Sequence, residues 1–219
     1  MFDQDSRDLY RKDQEAFYTG RFQDFGLIVQ ADGWTSENMA HYYYDRALQI
    51  ISRIPKQASI LEVGSGHGFF YKYLQEKDLL DKFNYSGIEI NENSCKESLK
   101  MNPDATYHLG DFLDYQFTEP NFDYTVFMGT FSISESLDSK TLYQMVEANL
   151  RKAFMISNYA TVLLISRFLL ENSEATQLFN TAKQISEFYS LDNTIFGDYI
   201  ALALYKKKFV LEAYSELGH

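Results

Sequence analysis

The run Glu62-Val63-Gly64-Ser65-Gly66-His67-Gly68 stands directly after a short apolar segment and ahead of a helical pattern. Glycine tolerates positive φ and lets a ligand approach the backbone closely. The helix start beyond Gly68 offers free amides to an anion. Glu89 follows 21 residues after Gly68 and closes a second apolar segment. A carboxylate there can accept from two adjacent ribose hydroxyls. Asp111, in Gly110-Asp111-Phe112, comes after a third segment, placed to accept from an adenine amino group while Phe112 packs on the ring. A fourth segment ends at Gly129-Thr130-Phe131-Ser132, where a second reactant would meet the bound nucleoside. Four loops thus converge on one nucleoside-shaped site.

Those loops need a frame that brings strand ends together. Ser59–Val63, Tyr85–Ile90, Thr106–Leu109, Phe122–Met128, Thr161–Ser166 and Tyr199–Tyr205 read as strands, short and rich in β-branched and aromatic residues. Between them, Phe69–Leu80, Glu92–Lys100, Thr141–Ile156 and Thr176–Phe188 read as helices. Ahead of the first strand, Met39, Tyr43, Ala47, Leu48 and Ile51 recur at helical spacing over Ser36–Ile54, with Ser36 as N-cap and Pro55 beyond the end. Residues 1–33 read as a short helix plus loop. Pro55, Pro103 and Pro120 each fall just ahead of a strand, as in repeated helix-then-strand units. The rhythm predicts a doubly wound α/β domain, a parallel sheet with helices on both faces and ligands at the carboxyl ends of its strands. Residues 1–57 are expected to be a helical lid and 58–219 the nucleoside-binding domain.

Composition narrows the partners. A net charge of −11 repels nucleic acid phosphates and anionic lipid, so neither is expected as partner or substrate. The single basic run, Lys206-Lys207-Lys208, fits the solvated end of a strand. Cys95 is the only cysteine, which excludes an internal disulfide and any multi-cysteine metal site, and no metal is expected. The start, Met1-Phe2-Asp3-Gln4-Asp5, has no signal-peptide layout, and the apolar stretch Thr161–Leu170 is broken by Arg167. A soluble, cytoplasmic protein is expected.

The loop residues resemble those of the class I S-adenosylmethionine-dependent methyltransferases, over roughly Ser59 to Lys207. In that family the first loop reads acidic-x-Gly-x-Gly-x-Gly, matched by Glu62, Gly64, Gly66 and Gly68. The resemblance implies a ribose role for Glu89, an adenine role for Asp111, and cofactor contacts from Ser65, Ile90, Phe112, Gly129 and Thr130. It also implies a Rossmann-like seven-stranded sheet of order 3-2-1-4-5-7-6 with the last strand antiparallel. Gly33-Trp34-Thr35-Ser36 and the segment Asp198–Lys206 resemble a bacterial subgroup of small members. A nicotinamide dehydrogenase fits less well: its Gly-x-Gly-x-x-Gly places the third glycine one residue later. Glu62 would also sit badly beside a pyrophosphate, yet suits the ammonium of a methionine moiety.

The expected reaction is methyl transfer from S-adenosylmethionine to an oxygen or nitrogen of a small molecule. The alternatives are a non-catalytic cofactor-binding protein and an aminopropyltransferase on the same fold. In-line displacement relies on alignment, and a base is needed only where the acceptor must lose a proton. His41 is the first candidate base, with His67 second; a surface or packing role stays open for both, as for His108. Trp34 is placed with the cofactor, its ring sheltering the sulfonium by cation–π attraction. Tyr43, Phe131, Ser132 and Glu135 are placed with the acceptor.

Overall fold

The computed structural model describes residues 3–52, 57–117, 122–131, 136–166, 172–192, 199–207 and 209–210. The six strands read from the sequence and one more form a seven-stranded sheet in the order 3-2-1-4-5-7-6 implied by the resemblance. Its strands are β1 (Ala58–Val63), β2 (Phe83–Glu89), β3 (Thr106–Leu109), β4 (Phe122–Met128), β5 (Ser157–Ser166), β6 (Phe188–Asp192) and β7 (Tyr199–Tyr205). β1 pairs in parallel with β2 and β4, β2 with β3, and β4 with β5. β7 runs antiparallel between β5 and β6.

The helices are α1 (Gln4–Phe25), α2 (Glu37–Ile51), α3 (Phe69–Glu76), α4 (Glu92–Met101), α5 (Ser139–Ile156) and α6 (Asn172–Ile185), with a 3₁₀ turn over Val29–Asp32. Side-chain caps set several starts. Ser36 accepts from the Met39 amide, Asn91 from Ser94, and Asp138 from Thr141, each satisfying an amide the helix cannot.

Strand alternation divides the core into two layers. Ile60, Tyr124, Val126 and Val162 face α2 and α3, meeting Tyr44, Ile51, Phe70 and Leu74. Leu61, Val63, Phe127 and Leu163 face the other way, against Val146 and Leu150 of α5 and Leu178 of α6. Coverage on both sides is why these strands read as continuous apolar runs.

Four expectations change. The helix expected over Phe69–Leu80 stops at Glu76. The N-terminal segment holds a helix of 22 residues, not a short one. Its buried residues are Tyr10 and Gln14, one of them polar, so no apolar stripe advertised it. β5 begins four residues earlier than expected, immediately after α5, because the Ser157 hydroxyl bonds the Ala153 carbonyl and Thr125 and stitches helix end to strand start. The helix expected over Thr176–Phe188 stops at Ile185, and Phe188 opens an edge strand whose half-exposed Tyr-Ser-Leu-Asp pattern carries little apolar signal. Ile54, Pro55 and Pro120 lie outside the described residues, as does Arg167.

Candidate functional site

A crevice opens at the carboxyl ends of β1, β2 and β4, enclosing about 1050 Å³ of empty space including its mouth. Its floor is the loop after β1. Gly64, Gly66 and Gly68 take φ of +73°, +53° and +83° there, conformations that side chains with a Cβ adopt at a cost. The amides of Gly64 and Ser65 still donate to the Ile88 carbonyl at 2.8 and 3.2 Å, so the loop leaves the sheet already tied to β2.

Glu89 lines this crevice and is 7% exposed. Its two oxygens accept from the Gly66 and Asn91 amides, each at 2.8 Å. The carboxylate is thereby fixed between the glycine loop and the start of α4. Burial pushes its pKa up, and the two backbone donors pull it back. Beside it, at the end of β3, the Gly110 amide donates to the Glu89 carbonyl at 2.9 Å and brings Asp111 alongside. Asp111 accepts from the Leu113 amide at 2.8 Å and from Arg7 of α1 at 2.6 Å. Phe112 is buried edge-on against Phe127. Lys152 of α5 holds this turn by donating to the carbonyls of Phe112, Leu113 and Tyr115 at 2.6, 3.0 and 2.8 Å.

Thr130 donates to the Val63 carbonyl at 2.6 Å and closes the side of the crevice near β4. Trp34, 5% exposed, packs its ring over Gly129 and stacks with Tyr43 and Tyr199. The structure therefore brings Trp34, Glu62, Gly64, Ser65, Gly66, Glu89, Ile90, Asp111, Phe112, Gly129, Thr130 and Phe131 to one cavity wall.

Other expected site residues lie elsewhere. Gly68 caps α3 behind the loop, against Ser98, Asn102 and Tyr107. Tyr43 is fully buried between Trp34 and Tyr199 and has no place on the crevice wall. His41 does not line this crevice. It lines a separate depression with Leu27, Glu37 and Tyr73, because its face of α2 turns toward α3. His67 is sealed beneath α1, stacked on Phe22 and paired with Asp32. His108 bonds the Tyr115 hydroxyl on the edge of the sheet. Ser132 and Glu135 lie outside the described residues.

Sequence reasoning missed an entire wall. Arg7, Tyr10, Gln14 and Tyr18 of α1 line the crevice, as do Asp32 and, from α5, Met145 and Asn149. The spacing of the four α1 residues, three then four then four, places them on one helix face. That periodicity was visible, but a mixed polar and aromatic face does not score as a buried one. Arg7 grips Asp111 and Asp114 at one end of α1. Asp13 accepts from the amide and hydroxyl of Ser136 at 3.0 and 2.8 Å midway. Phe22 stacks on His67 near the other end, so α1 bars the crevice along its length.

Charge in the floor is lopsided. Glu62, 4% exposed, receives the Tyr85 hydroxyl, and Glu89 and Asp32 are close enough to perturb it. Burial first, then those neighbours, raise its pKa well above 4.5. Burial alone would lower His67, but the hydrogen bond and charge of Asp32 outweigh it and raise the imidazole above 6.5. Glu62, Glu89 and His67 thus all hold protons more tightly folded than unfolded. Stability contributed this way is complete below the unfolded values and drains as pH rises through the folded ones. Thermal melts between about pH 5 and 9 are expected to show a falling midpoint, and Glu62→Gln, which cannot ionise, a shallower fall. A wild-type midpoint that climbs across this range would refute the assignment.

No family model matches the chain. It is similar to the dTDP-3-amino-3,4,6-trideoxy-alpha-D-glucopyranose N,N-dimethyltransferase of Streptomyces venezuelae, with 28% identity over 116 residues. That match covers 53% of this chain and only 40% of the relative's length. Among solved structures, a TehB-like S-adenosylmethionine-dependent methyltransferase from Corynebacterium glutamicum superposes with a TM-score of 0.59 at 17% identity, covering 89% of this chain and 98% of that one. The magnesium protoporphyrin IX methyltransferase of Synechocystis, solved with S-adenosylmethionine bound, gives 0.63 at 10% identity, covering 90% and 97%. Among the described residues no helix is long and apolar enough to cross a membrane. By its fold and strand order, the chain has the Rossmann-like architecture of the solved class I S-adenosylmethionine-dependent methyltransferases it superposes on.

Proposed function

We propose that this protein binds S-adenosylmethionine in the crevice and transfers its methyl group to a nitrogen or oxygen of a small molecule. The observation that carries the reading is the convergence of Glu89, the Gly64–Gly66 backbone and the Asp111-Phe112 turn on one cavity. A ribose fits Glu89, whose oxygens each keep a lone pair after accepting one amide. Ile90, Asp111 and Phe112 line the same cavity and are assigned to the adenine, the carboxylate accepting from its amino group. Ser65 adds a buried hydroxyl without a hydrogen-bond partner among the described residues. These features suit an adenosine better than a dinucleotide, whose second phosphate would face Glu62.

When bound, S-adenosylmethionine supplies an electrophilic methyl on a sulfonium. The chain's own contribution is to align the acceptor and exclude water. Phe131, Met145 and Tyr10 make the far part of the crevice largely apolar, with Gln14, Tyr18 and Asn149 as polar exceptions. Among the described residues no imidazole lines it. A neutral amine attacks through its lone pair and needs no proton removed first, so nitrogen is favoured over a hydroxyl. The name of the Streptomyces relative, an N,N-dimethyltransferase, supports the same choice. Closure by α1 argues for a small acceptor.

The test is calorimetric titration with S-adenosylmethionine and S-adenosylhomocysteine, followed by release of the latter in the presence of amine and alcohol panels. Failure of the wild type to bind either nucleoside ends the proposal. Of residues 1–57, α1 is read as the lid over the crevice, while α2 packs in the core. Hydrogen exchange across Gln4–Phe25 is expected to slow by about tenfold or more on adding S-adenosylhomocysteine. Equal exchange with and without ligand would show that α1 is fixed scaffold.

A further inference from the structure

Asp32 ends the 3₁₀ turn that follows α1, far in sequence from the glycine loop, yet its carboxylate rests on that loop. The His67 amide donates to its two oxygens at 3.3 and 3.1 Å, and the His67 ring Nδ1 pairs with Oδ1. The fit against Gly66 is close: a Cβ on that residue would lie 2.5 Å from Oδ2. Asp32 is nevertheless 13% exposed and lines the crevice.

The other two carboxylates of the floor are committed differently. Glu89 is clasped by two amides on the β2 side, and Glu62 is 4% exposed and occupied by the Tyr85 hydroxyl. The sequence suggested Glu62 as partner for an ammonium, but its carboxyl is drawn into the Tyr85 contact. Asp32 is the more accessible carboxylate at the loop. In the same wall, Ser65 buries a hydroxyl that has no hydrogen-bond partner among the described residues.

We propose, resting on the reading that the crevice takes S-adenosylmethionine, that Asp32 binds the ammonium of the cofactor's amino-acid end and that His67 positions Asp32 for it. A carboxylate accepts about four hydrogen bonds, and the His67 amide and ring leave room for an ammonium donor. His67 meets charge from Asp32, Glu89 and Glu97, and α1 covers its ring with Phe22. It is held on one side by α1 and on the other by its own loop, so it fixes where Asp32 can point. The ligand's amino-acid end would then bind a residue of the N-terminal segment directly, joining cofactor binding to closure of α1.

Three ligands separate this from the wider reading: S-adenosylhomocysteine, its decarboxylated 3-aminopropyl thioether, and 5′-methylthioadenosine, which lacks the amino-acid end. In calorimetry Asp32→Asn is expected to weaken both amine-bearing ligands by roughly 10- to 50-fold, the loss of one charge-assisted hydrogen bond. 5′-Methylthioadenosine, bound through its adenosine alone, is expected to change less than about twofold, which also reports that the variant is folded. His67→Gln is expected to show the same pattern at roughly 3- to 10-fold, as a positioning residue acting through Asp32. Equal losses on all three ligands, no loss on any, or a loss on S-adenosylhomocysteine that the aminopropyl compound does not share would each overturn the proposal. If wild-type protein binds none of the three, the nucleoside reading itself has failed and this proposal with it.

Discussion

Replacing Glu89 with alanine is expected to weaken S-adenosylhomocysteine binding by roughly 100-fold, about 2.7 kcal/mol. The wild-type carboxylate is buried and oriented by the Gly66 and Asn91 amides, and in the proposed function it receives two ribose hydroxyls. Alanine removes those acceptors and leaves both amides without their partner in a poorly solvated wall. The stability cost is expected to be smaller, about 1–2 kcal/mol, because the two amides that lose their acceptor are partly offset by removal of a carboxylate that burial already disfavours as an ion. Glu89→Gln keeps one accepting oxygen and should fall between wild type and alanine. Calorimetry beside thermal melts separates the two effects. Unchanged affinity in the alanine variant would remove Glu89 from the site.

Gly68→Ala should do the reverse, lowering stability more than ligand affinity. Gly68 sits at φ +83°, and a Cβ there would press on the Tyr107 hydroxyl and the Asn102 amide. Neither neighbour can retreat easily. The Asn102 side chain donates to the Gly68 carbonyl at 3.0 Å and to the Tyr107 hydroxyl at 2.9 Å, while Tyr107 packs edge-on against Tyr85. Strain plus collision is expected to cost about 3 kcal/mol, a fall in Tm of about 6–12 °C for a chain of this size. At a temperature where the variant is folded, its affinity for S-adenosylhomocysteine should fall less than that of Glu89→Ala. A Tm within about 2 °C of wild type would show that the space behind the loop yields.

The contrast between these two residues shows where sequence reasoning has purchase. Both belong to the recognisable loop pattern, yet one faces the crevice and the other the packed layer behind it. Spacing along the chain places a residue at a strand end. The turn of the following helix decides which side it faces. His41 and Tyr43 lie off the crevice wall for the same reason, since helical periodicity marks them as neighbours of a core without saying which surface of that core is open.

Consecutive residues alone carry most of the helix-and-strand rhythm, the glycine loop after β1, and the acidic residues after β2 and β3. These are local: apolar runs, caps and turns are written in consecutive residues, and parallel strands bring their carboxyl ends together wherever the crossovers are regular. Folding in three dimensions adds that α1 bars the crevice, that Asp32 rests on Gly66, and that Lys152 fastens the Asp111 turn. Each of these joins residues 34 or more positions apart through polar contacts. Polar contacts leave no periodic trace, because a charged side chain reads alike whether it meets water or a distant partner.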